Sequence, residues 1–132
     1  MISHDTKIRV RYNETDQMGV VHHSAYITYF EVGRTDLIRS MGKTYSSMEK
    51  EGIMLPVISL HCNYSGPAYY DDELIVRTSI KENPGVKVRF DYEIYNNEIK
   101  ICDGYAILAF TNAITRKPSR PPVWFVKLFG DK

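Results

Sequence analysis

The sequence predicts an α+β protein in which one long helix packs on a five-stranded antiparallel sheet. Three observations carry this. Residues 7–12 alternate, with Ile8, Val10 and Tyr12 on one side and Lys7, Arg9 and Arg11 on the other, the period of a half-buried strand. The period then changes, because Tyr26, Ile27, Phe30, Gly33, Leu37, Ile38 and Met41 recur at threes and fours, the stripe of an amphipathic helix. Beyond Pro56 period two returns in successive runs separated by turn residues.

Taken in order, the first strand leads into a polar stretch, Asn13 to Gly19, read as a loop. Ser24 is the predicted N-cap and Gly42 the predicted C-terminal glycine of a helix over about 24–41, which the standard rise makes roughly 27 Å long. Gly33 in its interior costs helix stability, so its place is where the helix approaches the sheet closely. Residues 45–52 read as a short helical turn ending at Gly52. In the strands that follow, Ile58, Leu60, Cys62 and Tyr64 share a face, as do Leu74, Val76, Thr78 and Ile80. Val86, Val88, Phe90, Tyr92 and Ile94 form a third such set, and Asn83-Pro84-Gly85 and Asn96-Asn97 supply hairpin turns. Ile99 to Thr111 is apolar on both faces, as a strand covered on both sides would be. Pro122 opens a short C-terminal helix over 121–129. One helix cannot cover both faces of such a sheet, so a partner subunit is expected on the other. No internal boundary or repeat interrupts the chain, which reads as one domain over 1–132.

Composition narrows the function classes. The chain has 132 residues, 43% hydrophobic and 25% charged, with 17 basic against 16 acidic groups, a formal charge of +1. That balance gives no reason to expect a nucleic-acid or charged-membrane binder. No run approaches the roughly 18 apolar residues of a spanning helix, and Met1 to Arg11 lacks the apolar centre of a signal peptide. Cys62 and Cys102 lie far apart in no metal-type spacing, which predicts a reduced, cytoplasmic setting. Neither a metal nor a redox cofactor is expected, because the histidines and cysteines lack ligand spacing and no glycine-rich dinucleotide loop is present.

The densest polar constellation is the loop between the first strand and the helix: Asp16, then His22 and His23 at the helix entrance. A helix N-terminus offers unpaired N–H groups and a partial positive charge that stabilise a developing oxyanion. A carboxylate nearby can attack a carbonyl or activate a water. Together they form a minimal kit for acyl transfer. The competing reading is structural, with Asp16 as a turn residue and the histidines as surface groups.

The run from Tyr12 through Asn13-Glu14-Thr15-Asp16-Gln17-Met18-Gly19-Val20-Val21 to His22-His23 resembles the signature of hotdog-fold acyl-CoA thioesterases of the 4-hydroxybenzoyl-CoA thioesterase family. The likeness is closest to the bacterial branch acting on short-chain or aryl acyl-CoAs. It continues through Tyr26, Tyr29-Phe30-Glu31 and Arg34, and returns in Gly52 to Val57 and Pro67 to Leu74. It implies a sheet wrapped around the long helix, dimers joined edge to edge and often paired into tetramers, and hydrolysis of an acyl thioester of coenzyme A or acyl carrier protein. It places the catalytic carboxylate on Asp16 and the assisting tyrosine and histidine on Tyr12 and His23, with a backbone N–H near His23 as oxyanion donor. The branch usually carries Asn where this chain has Ala25. Nucleophilic attack by Asp16 and base catalysis by it both remain open, as do the related hydratase or dehydratase chemistry and a non-catalytic acyl-CoA binder.

Other polar residues receive structural readings. Glu31 and Arg34, three apart, are expected to form an intrahelical ion pair, and His61 to lie on the surface. Met18, Tyr26, Met54 and Tyr64 are candidate pocket residues. Arg116, Lys117 and Arg120, with Lys87 and Arg89, are the basic groups available to phosphates, though solvated charge accounts for them equally.

Overall fold

A computed structural model describes residues 1–129. Its strands are β1 (Ile2–Arg9), β2 (Ile53–Met54), β3 (Val57–Tyr64), β4 (Glu73–Ile80), β5 (Lys87–Asn96), β6 (Ile99–Ala109) and β7 (Thr111–Asn112). Its helices are α1 (His23–Ser40), α2 (Tyr45–Lys50) and α3 (Val123–Lys127). The main sheet is antiparallel in the order β1-β4-β5-β6-β3 and wraps α1, as a hotdog fold does, while β2 and β7 form a separate small ribbon.

The inner faces of β4 and β5 are those the alternation indicates, except that Val86 precedes β5 and is exposed, whereas Ile58, Leu60 and Tyr64 of β3 are exposed. Leu74, Val76, Thr78 and Ile80 of β4 are buried, as are Val88, Phe90, Tyr92 and Ile94 of β5. α1 buries Tyr26, Tyr29, Phe30, Leu37 and Ile38, with Phe30 stacked on Tyr92 of β5 at 4.4 Å between ring centroids and Tyr26 meeting Tyr64 of β3. Gly33 is where helix and sheet come closest: a Cβ there would sit 2.6 Å from Thr78 Oγ1 and 2.8 Å from a Val76 methyl. At the far end α3 lays Phe125 edge-on against Phe110, closing the core. The β5–β6 hairpin turns through Asn97 and Glu98, both at positive φ, so the loop lies one residue beyond the predicted Asn96-Asn97 pair.

Several expectations are corrected. The first strand runs over Ile2–Arg9 rather than 7–12, pairing with β4 from Ile2↔Ile80 to Arg9↔Glu73. Its inner face carries His4 and Thr6, which both meet the Asp36 carboxylate of α1, at 2.9 and 2.7 Å, and these polar residues conceal the alternation. Tyr12 therefore lies beyond the strand, in a single 3₁₀ turn. The N-cap of α1 is His22, not Ser24, its ring Nδ1 accepting the Ser24 N–H. Ile27 points outward. Arg34 makes no ion pair with Glu31; it is buried on the sheet side and donates to the hydroxyls of Tyr45 at 2.6 Å and Tyr92 at 3.1 Å. The predicted last strand ends at Ala109, since Thr111–Asn112 leaves to pair with β2. In this chain β6 is covered on one face only: Ala106 and Leu108 are buried, whereas Tyr105 and Ile107 on the opposite face are half-buried.

Candidate active site

Between β1 and α1 the chain folds into a tight hairpin. The His22 N–H donates to the Glu14 carbonyl at 2.8 Å, Thr15 bridges Val21, and the Asp16 N–H donates to the Val20 carbonyl at 2.8 Å. Gly19, at φ +77, completes the turn that its lack of a Cβ permits. Asp16 sits at the exposed tip. Its Oδ1 accepts the Met18 and Val20 N–H groups at 2.8 and 3.2 Å, whereas Oδ2 has no partner among the described residues. One oxygen thus does the work of a turn residue, and the other is free for chemistry.

The hairpin delivers the chain into α1. Of the first helical N–H groups, that of Ser24 is taken by His22 Nδ1 at 3.2 Å and that of Ala25 by the His22 carbonyl at 3.0 Å. The His23 N–H has no acceptor among the described residues. It stands at the positive end of an 18-residue helix, where an oxyanion is favoured. The His23 ring is exposed, 4.2 Å from that of His22, and its carbonyl accepts the Tyr64 hydroxyl at 3.0 Å.

An open hollow of about 340 Å³ begins here, lined by Val20, Val21, His23, Tyr26, Tyr64 and the loop Ser65 to Pro67. Tyr26 and Tyr64 meet edge to face at 5.3 Å. Burial pushes both phenols up, Tyr64 to about 12 with help from the neighbouring Cys62 thiol, so both present neutral hydroxyls. Two of the four candidate pocket residues are therefore in place. Met18 instead projects from the hairpin tip at 84% exposure, and Met54 lies in the β2–β7 ribbon. Asp16 and Tyr12 line neither this hollow nor the neighbouring one of about 440 Å³ beside Glu14 and His22. Tyr12, 77% exposed, packs edge-on against Tyr70 at 5.6 Å.

Sequence reasoning gave Glu14 no role of its own. Its side chain, 10% exposed, takes the Tyr29 hydroxyl at 2.9 Å and the Arg11 backbone N–H at 2.8 Å on Oε1, and the Arg11 guanidinium on Oε2. Burial works to raise this carboxyl, but the Arg11 and Tyr29 hydrogen bonds hold it below its ordinary 4.5. The same residue's carbonyl holds the His22 N–H, so Glu14 pins both limbs of the hairpin to the helix. The signal available in the sequence was Arg11 three residues before an acid that itself precedes Thr15-Asp16.

The basic groups lie elsewhere. Arg116, Lys117 and Arg120 are exposed on the segment after β7, while Arg89 stacks over Tyr105 at 4.0 Å and pairs with Asp91 on the outer sheet face. His61 is on that face as expected, stacked on Tyr105.

The model of the thioesterase-like superfamily matches residues 10–129. YneP of Bacillus subtilis, a candidate acyl-CoA thioesterase, is 40% identical over 95% of this chain and 88% of its own. The acyl-CoA thioesterase YbgC of Haemophilus influenzae is 30% identical over 84% of this chain and 82% of its own. The crystal structure of a DHNA-CoA thioesterase from Staphylococcus aureus superposes with a TM-score of 0.85 at 38% identity, covering 91% of this chain and 81% of that one. The helix, the sheet that wraps it and the matched residues agree: the chain belongs to the thioesterase-like superfamily, a thioester hydrolase on the hotdog fold.

Proposed function

We propose that this protein hydrolyses acyl-CoA thioesters, or the same acyl group carried on acyl carrier protein, to the free acid and the thiol. The observation that carries the reading is the unpaired His23 N–H at the start of α1, opening onto the Tyr26–Tyr64 hollow. The acyl chain enters the hollow while its thioester stays at the mouth, on the hairpin side; the His23 N–H donates to the carbonyl oxygen there, and Asp16 Oδ2, outside the hollow's lining, attacks the carbon or takes a proton from the attacking water. A donor of this kind is worth on the order of a hundredfold to a thousandfold in rate. The His23 ring orients the substrate at the mouth, and Tyr12, its hydroxyl exposed, assists from the hairpin side. No metal or organic cofactor enters this chemistry. The names of YneP, YbgC and the Staphylococcus aureus enzyme support acyl-CoA as the substrate.

The working unit in this proposal is one hotdog domain assembled as a homo-oligomer, with the tetramer favoured, in the cytoplasm. β3 is a free edge of the sheet and exposes Val57, Ile58 and Leu60 beside Tyr64 of the hollow. A second copy continuing the sheet there removes an exposed apolar edge and walls the hollow. No helix of the described residues is long and apolar enough to cross a membrane.

The test is release of free thiol from a panel of aryl, short-chain and long-chain acyl-CoAs, with light scattering on the same preparation. Hydrolysis by a dimer or tetramer is expected. Hydration of an enoyl-CoA without thiol release, or a monomer at micromolar concentration, contradicts the proposal.

A further inference from the structure

The two cysteines lie 40 residues apart in sequence, yet their sulfurs are 3.4 Å from one another, and both are free thiols. The register explains the meeting. On the inner face of the sheet Cys62 of β3 stands opposite Gly104 of β6, and Cys102 stands opposite Tyr64. Gly104 presents no side chain to Cys62. A Cβ there would run into the His61 carbonyl and lie 3.0 Å from the Phe30 ring. The Cys62 sulfur therefore leans along the diagonal toward Cys102. Cys102 is fully buried, while Cys62 is half-buried and the one that solvent reaches.

We propose that Cys62 and Cys102 form a dithiol modification site that a hydroperoxide converts reversibly to a disulfide, and that this bond restrains the Tyr64 wall of the acyl hollow. The Cys62 sulfur attacks one peroxide oxygen, the O–O bond breaks, and a sulfenic acid forms as the first water (or alcohol) leaves. The Cys102 sulfur then attacks Cys62; the S–O bond breaks and hydroxide departs, taking the Cys102 proton to become water. Two thiols are oxidised by two electrons and one hydroperoxide is reduced. A thiol reductant reverses the step.

The consequence for the site follows from distance. A disulfide needs its sulfurs at about 2.05 Å, so the pair must close by about 1.4 Å, shared between β3 and β6. Tyr64 lies two residues along β3 on the same face, and its hydroxyl holds the His23 carbonyl at the helix entrance. An ångström-scale displacement there is large by catalytic standards, because misplacement of that size can cost on the order of a hundredfold. This second half of the inference rests on the proposed thioesterase site; the disulfide itself does not.

The experiment treats the intact oligomer with hydrogen peroxide and follows mass and hydrolysis separately, the latter by thioester absorbance. The expected result is a loss of about 2 Da, a Cys62–Cys102 cross-link in the peptide map and at least about a tenfold fall in hydrolysis, all restored by dithiothreitol. Cys62→Ser should keep one unmodified thiol and its activity under the same dose. Successive oxygen additions on Cys62 with Cys102 left reduced, or cross-links between chains, overturn the dithiol site. A mapped disulfide with unchanged hydrolysis overturns the link to the hollow. Absence of hydrolysis in the reduced protein would count against the thioesterase reading, and the mass result would still decide the dithiol.

Discussion

The hairpin at the entrance of α1 and the helix–sheet core eight residues further on are built on opposite plans. In the core the chemistry is nearly all apolar: Phe30, Leu37 and Ile38 meet β4 and β5, and Gly33 lets the backbones close up. In the hairpin almost every constraint is polar. Asp16 holds two amides, Glu14 holds Arg11 and Tyr29, and His22 caps the helix with a ring nitrogen. The core supplies stability through buried area, whereas the hairpin spends polar groups on placing a free carboxylate oxygen and a free N–H at an exposed edge. Mutations in the two regions should therefore separate into stability and turnover.

The largest stability effect belongs to the core. Phe30→Ala removes a fully buried ring stacked on Tyr92 and should cost about 3–5 kcal/mol. Turnover per folded molecule should stay near wild type, because Phe30 reaches neither the hairpin tip nor the hollow. Chemical denaturation with a parallel activity assay measures both. A melt unchanged within 1 kcal/mol or so would break the division of labour.

A smaller effect is expected from the clamp. Glu14→Gln keeps the size and one acceptor for Tyr29 but gives up the charge facing Arg11, whose solvent-exposed guanidinium screens the pair, so the loss of stability should be well below that of Phe30→Ala. The pH dependence has a definite sign. Because the folded carboxyl titrates below its ordinary 4.5, its contribution is present above that value and is lost as pH falls through the folded one. Wild type should lead the variant at neutral pH, and the gap should close on acidification below about 4.5. Thermal melts from pH 7 down to pH 3 give the comparison. A gap that widened toward acid would show that the hairpin is not held by this carboxylate.

The same contrast explains what the sequence disclosed. Apolar periodicity is legible wherever one face is buried, so α1, β4 and β5 are predicted with most of their inward residues, Ile27 and Val86 being the exceptions. It fails where polar groups face inward. His4 and Thr6 hide the first half of β1 by turning toward Asp36, and Arg34 is buried because two tyrosine hydroxyls receive it where a carboxylate was expected. β3 alternates cleanly, yet Leu60 and Tyr64 are exposed, because alternation gives a face and not a position in the sheet; β3 is an edge. The Cys62–Cys102 contact depends on pairing between non-consecutive strands, which no local pattern encodes. At the candidate site, the resemblance points to Asp16 and His23, and their hydrogen bonds leave one Asp16 oxygen and the His23 N–H without partners among the described residues.

The central claim is that the free oxygen of Asp16 performs chemistry while the other performs structure, and Asp16→Asn tests it directly. Asparagine retains the acceptor that takes the Met18 and Val20 N–H groups, so the turn survives, but it offers neither a carboxylate nucleophile nor a proton acceptor. Turnover with the best acyl-CoA of the panel should fall at least about a hundredfold. A thermal melt on the same preparation should move by no more than the equivalent of about 1 kcal/mol. Turnover within a few-fold of wild type, in a variant that melts normally, would contradict the account.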